Sequence, residues 1–119
     1  MAIPNIVSVS SIYGTTYVAV LTTTLTTTIV TAASDKVLKI NVIRASNITS
    51  SDATVTFDVE VSGTHKIIAN EITVPANSSV DIIDKNSSFY LQETDLLRGG
   101  ASAGTTVDVM VSYEILDDA

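Results

Sequence analysis

The chain has 119 residues, with 13 acidic and 6 basic side chains, a net charge of -7, one histidine and no cysteine. One domain is expected at this length, burying roughly two thirds of the surface that its unfolded chain exposes. The missing cysteine excludes a disulfide framework and a thiolate metal site. Scattered Lys and Arg argue against a nucleic-acid partner, and no run approaches the ~18 apolar residues of a membrane span.

Val, Ile and Thr supply 45 of the 119 residues. Branching at Cβ suits a pleated, half-buried surface better than a helix, so an all-β chain is expected. A mean hydropathy of +0.39 with 45% hydrophobic residues is high for a small free monomer, and burial against other subunits accommodates it.

Pro4 lacks a backbone donor and Val7 and Val9 alternate loosely with serine, so residues 1–12 read as an N-terminal arm or edge strand and residues 13–119 as the main domain. The start, MAIPNIVSVSSIYG, has neither the basic residues nor the continuous apolar stretch of a secretory signal, and a soluble, unsecreted product is expected. Residues 17–21 are apolar on both faces. The following TTTLTTTIVT is strand material with a break near residues 22–24, although the spacing of Leu25 and Ile29 mimics a helix face.

Residues 36–45 alternate Leu38, Ile40 and Val42 against Lys39 and Asn41. Residues 53–62 set Val55, Phe57, Val59 and Val61 against Thr54, Thr56, Asp58 and Glu60. With the polar SNITSSD between them they are expected to pair antiparallel. SGTH turns the chain into a strand over 65–74, and further strands follow at 80–83, 89–92 and 96–103. The longest clean alternation closes the chain: over 105–116, Val107, Val109, Val111, Tyr113 and Ile115 point one way and Thr106, Asp108, Met110, Ser112 and Glu114 the other. A strand with one dry face needs a second sheet opposite it. The pattern predicts a single antiparallel β-sandwich of about eight short strands, wired as a Greek key, a jelly roll or an immunoglobulin-like fold.

Chemistry-bearing constellations are weak. Gly100-Ala101-Ser102-Ala103-Gly104 matches a hydrolase nucleophile elbow, yet it leads into a strand where that motif needs a helix. His65 has neither a second His nor a Cys to share a metal with and reads as a strand-start residue. Asp84-Lys85-Asn86-Ser87-Ser88, with Asp95 at position twelve, imitates a calcium loop but has Phe89 where that loop needs Gly. Asp58 and Glu60 share a solvent face, and Asp117 and Asp118 lie near the end of the sequence. The Asn47-Ile48-Thr49, Asn77-Ser78-Ser79 and Asn86-Ser87-Ser88 triplets serve as loop markers. No catalytic residue, metal ligand or cofactor is expected.

Four segments, in order, carry a family resemblance: Val37-Leu38-Lys39-Ile40-Asn41; Val74-Pro75-Ala76 with Val80; the run DKNSSFYLQETDLL that starts at Asp84; and Val109-Met110-Val111-Ser112-Tyr113-Glu114. Across about residues 36–116 the chain resembles small β-sandwich virion structural proteins of tailed phages that infect aquatic bacteria. The Gly99-Gly100 pair after Arg98 and the Thr-rich first 35 residues depart from that pattern. The resemblance implies a non-enzymatic virion protein, made in the bacterial host cytoplasm and present in many copies or as a homo-oligomer. Its partners are then other virion proteins, of the major capsid or of the neck and tail. A capsid decoration or cement role is the leading expectation, ahead of a neck or tail component and of a carbohydrate-binding module at a tail tip. Ile3, Pro4, Ile6, Val7, Val9, Leu25 and Ile29 are the expected contact residues.

Overall fold

The computed structural model describes residues 11–25, 27–102 and 106–117. These form nine strands: β1 Ser11–Val20, β2 Thr28–Thr31, β3 Lys36–Asn47, β4 Ala53–Val61, β5 Thr64–Val74, β6 Ser79–Ile83, β7 Phe89–Leu91, β8 Leu96–Ala101 and β9 Val107–Asp117. A single 3-10 turn, Lys85–Ser87, separates β6 from β7. Residues 1–10 of the expected arm lie outside the described residues, while Ser11 and Ile12 belong to the same strand as residues 13–20.

Two antiparallel sheets face each other. One runs β1-β9-β3, with β6 and β7 side by side along the far edge of β3, and the other runs β2-β8-β4-β5. Successive strands cross between the sheets except at the β4–β5 hairpin and between β6 and β7. If β6 and β7 are taken as one interrupted strand, this is the eight-stranded wiring of a jelly roll. The sequence left that scheme open among three.

The closing strand behaves as its alternation predicts: Val107, Val109 and Val111 are buried, Asp108 is exposed, and Tyr113 and Ile115 are half-buried. Opposite them Val55, Phe57 and Leu97 fill the interior. Full burial of a side chain such as Phe57 contributes about 2–3 kcal/mol. Gly99 is the register partner of Phe57 on β8, and the ring lies over it: a Cβ on Gly99 would stand 2.5 Å from Phe57 Cδ1 and 3.1 Å from Ile29 Cδ1. The glycine is there because the aromatic ring occupies the space of its side chain.

Two expectations need correction. β3 and β4 are not partners: β3 pairs with β9, β6 and β7, whereas β4 pairs with β5 and β8 in the other sheet. The segment between them is a crossover, and Asn47 holds it. That buried side chain donates to Ser51 O at 2.7 Å and to Val74 O at 3.0 Å, and its Oδ1 accepts from Thr49 N at 3.0 Å and Thr49 Oγ1 at 2.8 Å. The face of β3 also changes partway. A register shift between Ile40 and Val42 inserts Asn41 as an extra residue, so Leu38 and Ile40 point inward before it and Ile43 and Ala45 after it, with Val42 only half-buried.

Two substitutions test this packing. Asn47→Ala leaves the buried Val74 carbonyl without the Asn47 donor and removes the bonds to Thr49, and is expected to lower unfolding free energy by about 1–3 kcal/mol in urea titration, with Asn86→Ala, at an exposed site, close to neutral. Gly99→Ala pushes against Phe57 and is expected to cost about 1–3 kcal/mol, part of it recovered in the Gly99→Ala/Phe57→Leu double variant.

Candidate functional site

The motifs that could carry chemistry are engaged in structure. Ser102 Oγ accepts from Thr54 N at 3.0 Å while Ser102 N donates to Thr54 O at 2.8 Å, which joins the end of β8 to β4. Positions 103 and 104 of the elbow-like motif lie outside the described residues. His65 Nε2 lies 2.7 Å from Glu60 Oε1 across the β4–β5 hairpin, not beside Ser102.

The calcium-like loop resolves into two separate devices. Asp84 Oδ1 accepts from Asn86 N at 2.9 Å and Ser87 Oγ accepts from Asp84 N at 3.1 Å, a reciprocal cap on the 3-10 turn. Asp95 is buried, and its two oxygens accept from Ser62 N at 3.2 Å and Gln92 N at 3.1 Å, tying the β7–β8 turn to the β4–β5 hairpin. Among the described residues no group of three His, Cys, Asp or Glu side chains is placed to hold a metal ion, and no helix is long and apolar enough to cross a membrane.

Of the carboxylates on β4, Asp58 forms a two-pronged pair with Arg98 on the neighbouring strand, at 2.8 and 2.5 Å. Hydrogen bonding to Asp58 raises the Arg98 pKa. On the other sheet Arg44 Nε donates to Asp81 Oδ1 at 2.7 Å. That hydrogen bond holds the Asp81 carboxyl below the usual carboxylate range, against the opposing effect of desolvation.

What the surface offers instead is apolar area, concentrated on edge strands. β1 exposes Val18 at 69%, Ile12 at 61%, Tyr13 at 46% and Tyr17 at 38%, with Val20 beside them, and β5 exposes Ile67, Ile68 and Ile72. Register fixes the faces of β1. Tyr13, Thr15, Tyr17 and Ala19 pair with Ile115, Tyr113, Val111 and Val109 and so face the interior side; Ile12, Val18 and Val20 pair with Leu116, Met110 and Asp108 and face out. Tyr13 and Tyr17 nevertheless stay accessible. The opposite sheet ends in β2, only four residues long, which leaves part of the ten-residue β1 uncovered. Tyr113 lies diagonal to both tyrosines, and burial, then their proximity, pushes its pKa up. At the other end of β1 an open groove of about 370 Å³ is lined by Val18, Ala19, Ser46, Asp108, Val109 and Met110.

The expected contact residues fare unevenly. Ile3, Pro4, Ile6, Val7 and Val9 lie outside the described residues. Leu25 is exposed on the turn between β1 and β2. Ile29 is not a surface residue: at 8% exposure it packs in the core beside Phe57, because it lies in β2, paired with β8, and faces the interior. Before β2, threonine hydroxyls tie the connection together, with Thr27 Oγ1 donating to Thr24 O at 2.9 Å and lying 3.1 Å from Thr22 Oγ1. Tyr17 and Val18 were hidden in a sequence run, residues 17–21, that is apolar on both faces, and Tyr13 lies before it.

No protein-family model matches the sequence, and no curated protein matches it. Among solved structures, a chain of the T13 IBDV viral particle, known from a crystal structure, superposes with a TM-score of 0.50 at 11% identity. The match covers 91% of the present chain and 31% of the viral one, so this chain spans under a third of that neighbour's length. The likeness is one of fold: a β-sandwich shared with a chain of an icosahedral virus particle.

The Arg44–Asp81 pair gives a pH test. With the folded Asp81 pKa depressed, its contribution is present above the unfolded carboxylate pKa and is lost as pH falls through the folded value. The difference in urea midpoint between the parent chain and Asp81→Asn is expected to be fully present near neutral pH and to shrink as the pH is lowered through the carboxylate range.

Proposed function

We propose that this chain is a structural subunit of a virus particle, a jelly-roll module that acts by attaching to other virion proteins. The observation that carries the reading is the superposition of 91% of the chain on part of a chain of an icosahedral virus particle. Jelly rolls serve as building blocks of viral capsids, where sheets and loops provide contact surface. Two further features support it: the Asp58 and Asp84 carboxylates are occupied in a pair and a cap, and apolar side chains gather on strand edges.

The resemblance over residues 36–116 narrows the reading to a tailed phage, and the small size with an apolar surface narrows it further to a decoration or cement subunit on the head. Such a subunit binds across junctions between capsid proteins and stabilises only the assembled state, by mass action. Leu25 and the apolar side chains of residues 3–9 are the proposed contacts with the capsid, and Ile29 is not among them. The protein acts in the virion, by protein contact and not by catalysis.

Particle fractionation tests this. Purified virions probed with an antibody to the chain should carry it in many copies on the head, and heads that lack it should release their genome at lower temperature. Replacing Ile6, Val7 and Val9 by Asp should reduce the copies retained. Detection only at the tail, or absence from purified particles, removes the decoration role.

A further inference from the structure

We infer that the free edge of β1 is the surface on which a second copy of this chain docks, strand against antiparallel strand about a two-fold axis. The inference does not rest on the virion reading, since it follows from the sheet edges and the distribution of charge.

The four edges of the sandwich differ in how open they are to pairing. β2 is four residues long and irregular, with a register shift between Thr28 and Val30. β5 carries His65, Lys66 and Glu71, is shifted twice against β4, and kinks where Glu71 takes a φ of 50°. The edge formed by β6 and β7 is cut by the Lys85–Ser87 turn and carries the Arg44–Asp81 pair across its margin. β1 has none of these features. It runs ten residues in unbroken register with β9, contains no charged residue and no proline, and among the described residues pairs with β9 alone. Charges, bulges, prolines and short length are what keep an edge strand from recruiting another, and their joint absence leaves β1 open to strand addition.

Charge selects the occupant. Every one of the 13 acidic and 6 basic residues falls after position 34, so the first 34 residues carry no charge at all. Two copies of a chain with net charge -7 repel one another over most of their surfaces, and β1 is the long edge where they can meet without opposing charges.

Self-complementarity fixes the register. A two-fold axis normal to the sheet keeps inward residues opposite inward residues, which restricts the pairing to even offsets. With the axis at Thr15, Tyr13 meets the Tyr17 of the second copy and Ile12 meets its Val18. This register pairs aromatic with aromatic and the two most exposed apolar side chains of the strand with each other. It also joins the two β1-β9-β3 sheets into one and covers the tyrosines that the short β2 leaves accessible.

The absence of cysteine makes the test clean. Sedimentation of the purified full chain from micromolar to near-millimolar concentration should show a monomer–dimer equilibrium. Thr15→Cys, on the axis and opposite its own counterpart, should oxidise readily to a covalent dimer, whereas Thr16→Cys, on the other face and opposite Gly14, should not. Val18→Lys, at an exposed position, should melt as the parent monomer does and lose the dimer. A chain that stays monomeric throughout overturns the inference. So does a dimer that survives Val18→Lys or fails to crosslink through Thr15→Cys. Open-ended polymers would mean that β1 pairs with a different edge, which also overturns it.

Discussion

Contact between two apolar sheet faces holds this molecule together, with no covalent or metal link among the described residues to assist it. Phe57 lies at the centre of that contact, between Ile29 and the space over Gly99, with Val109 and Val111 contributed from the opposing sheet. The polar groups that must be buried at the margins are each given partners: Asn47 at one crossover, Asp95 at the turn before β8. Among the described residues no buried side-chain nitrogen or oxygen lacks a hydrogen-bond partner. A sandwich built this way tolerates loss of polarity at its surface but not disorder at its crossovers, because an unpaired buried amide costs more than a surface ion pair contributes.

Much of the architecture was legible from side-chain period. β9 could be read because its alternation is strict and the valines of its first half meet the interior throughout. β3 could be read as a strand but not as to face, since one inserted residue at Asn41 reverses which side is dry and no glycine or proline announces it. The pairing of β3 with β4 failed for a different reason. Adjacent strands joined by a polar loop pair more often than not, and nothing in SNITSSD distinguishes a hairpin from a passage to the opposite sheet. Only the buried amide of Asn47, bonded to Val74 far along the chain, marks the passage.

The candidate surface was less legible than the fold. Alternation reports that a side chain avoids water without saying whether it meets its own chain or another. Tyr13, Val18 and Ile67 therefore look like core residues in sequence. Conversely, the resemblance-bearing run from Asp84 to Leu97 turned out to be structural: its first Asp caps a turn, its second anchors one, and Leu91 and Leu97 fill the interior. Motifs of this kind identify how a chain folds more directly than what it does.

The position of β9 bears on how such a chain is made. Among the described residues β9 comes after the other eight strands, yet it lies inside its sheet, inserted between β1 and β3. As the ribosome delivers the chain, β1 emerges well before β9, its partner among the described residues, and its uncharged edges lack that partner while β2 to β8 are made. Nascent copies on one message are then close together with their most adhesive segment unsheathed, and the interval between the first strand and the last sets how long they stay so.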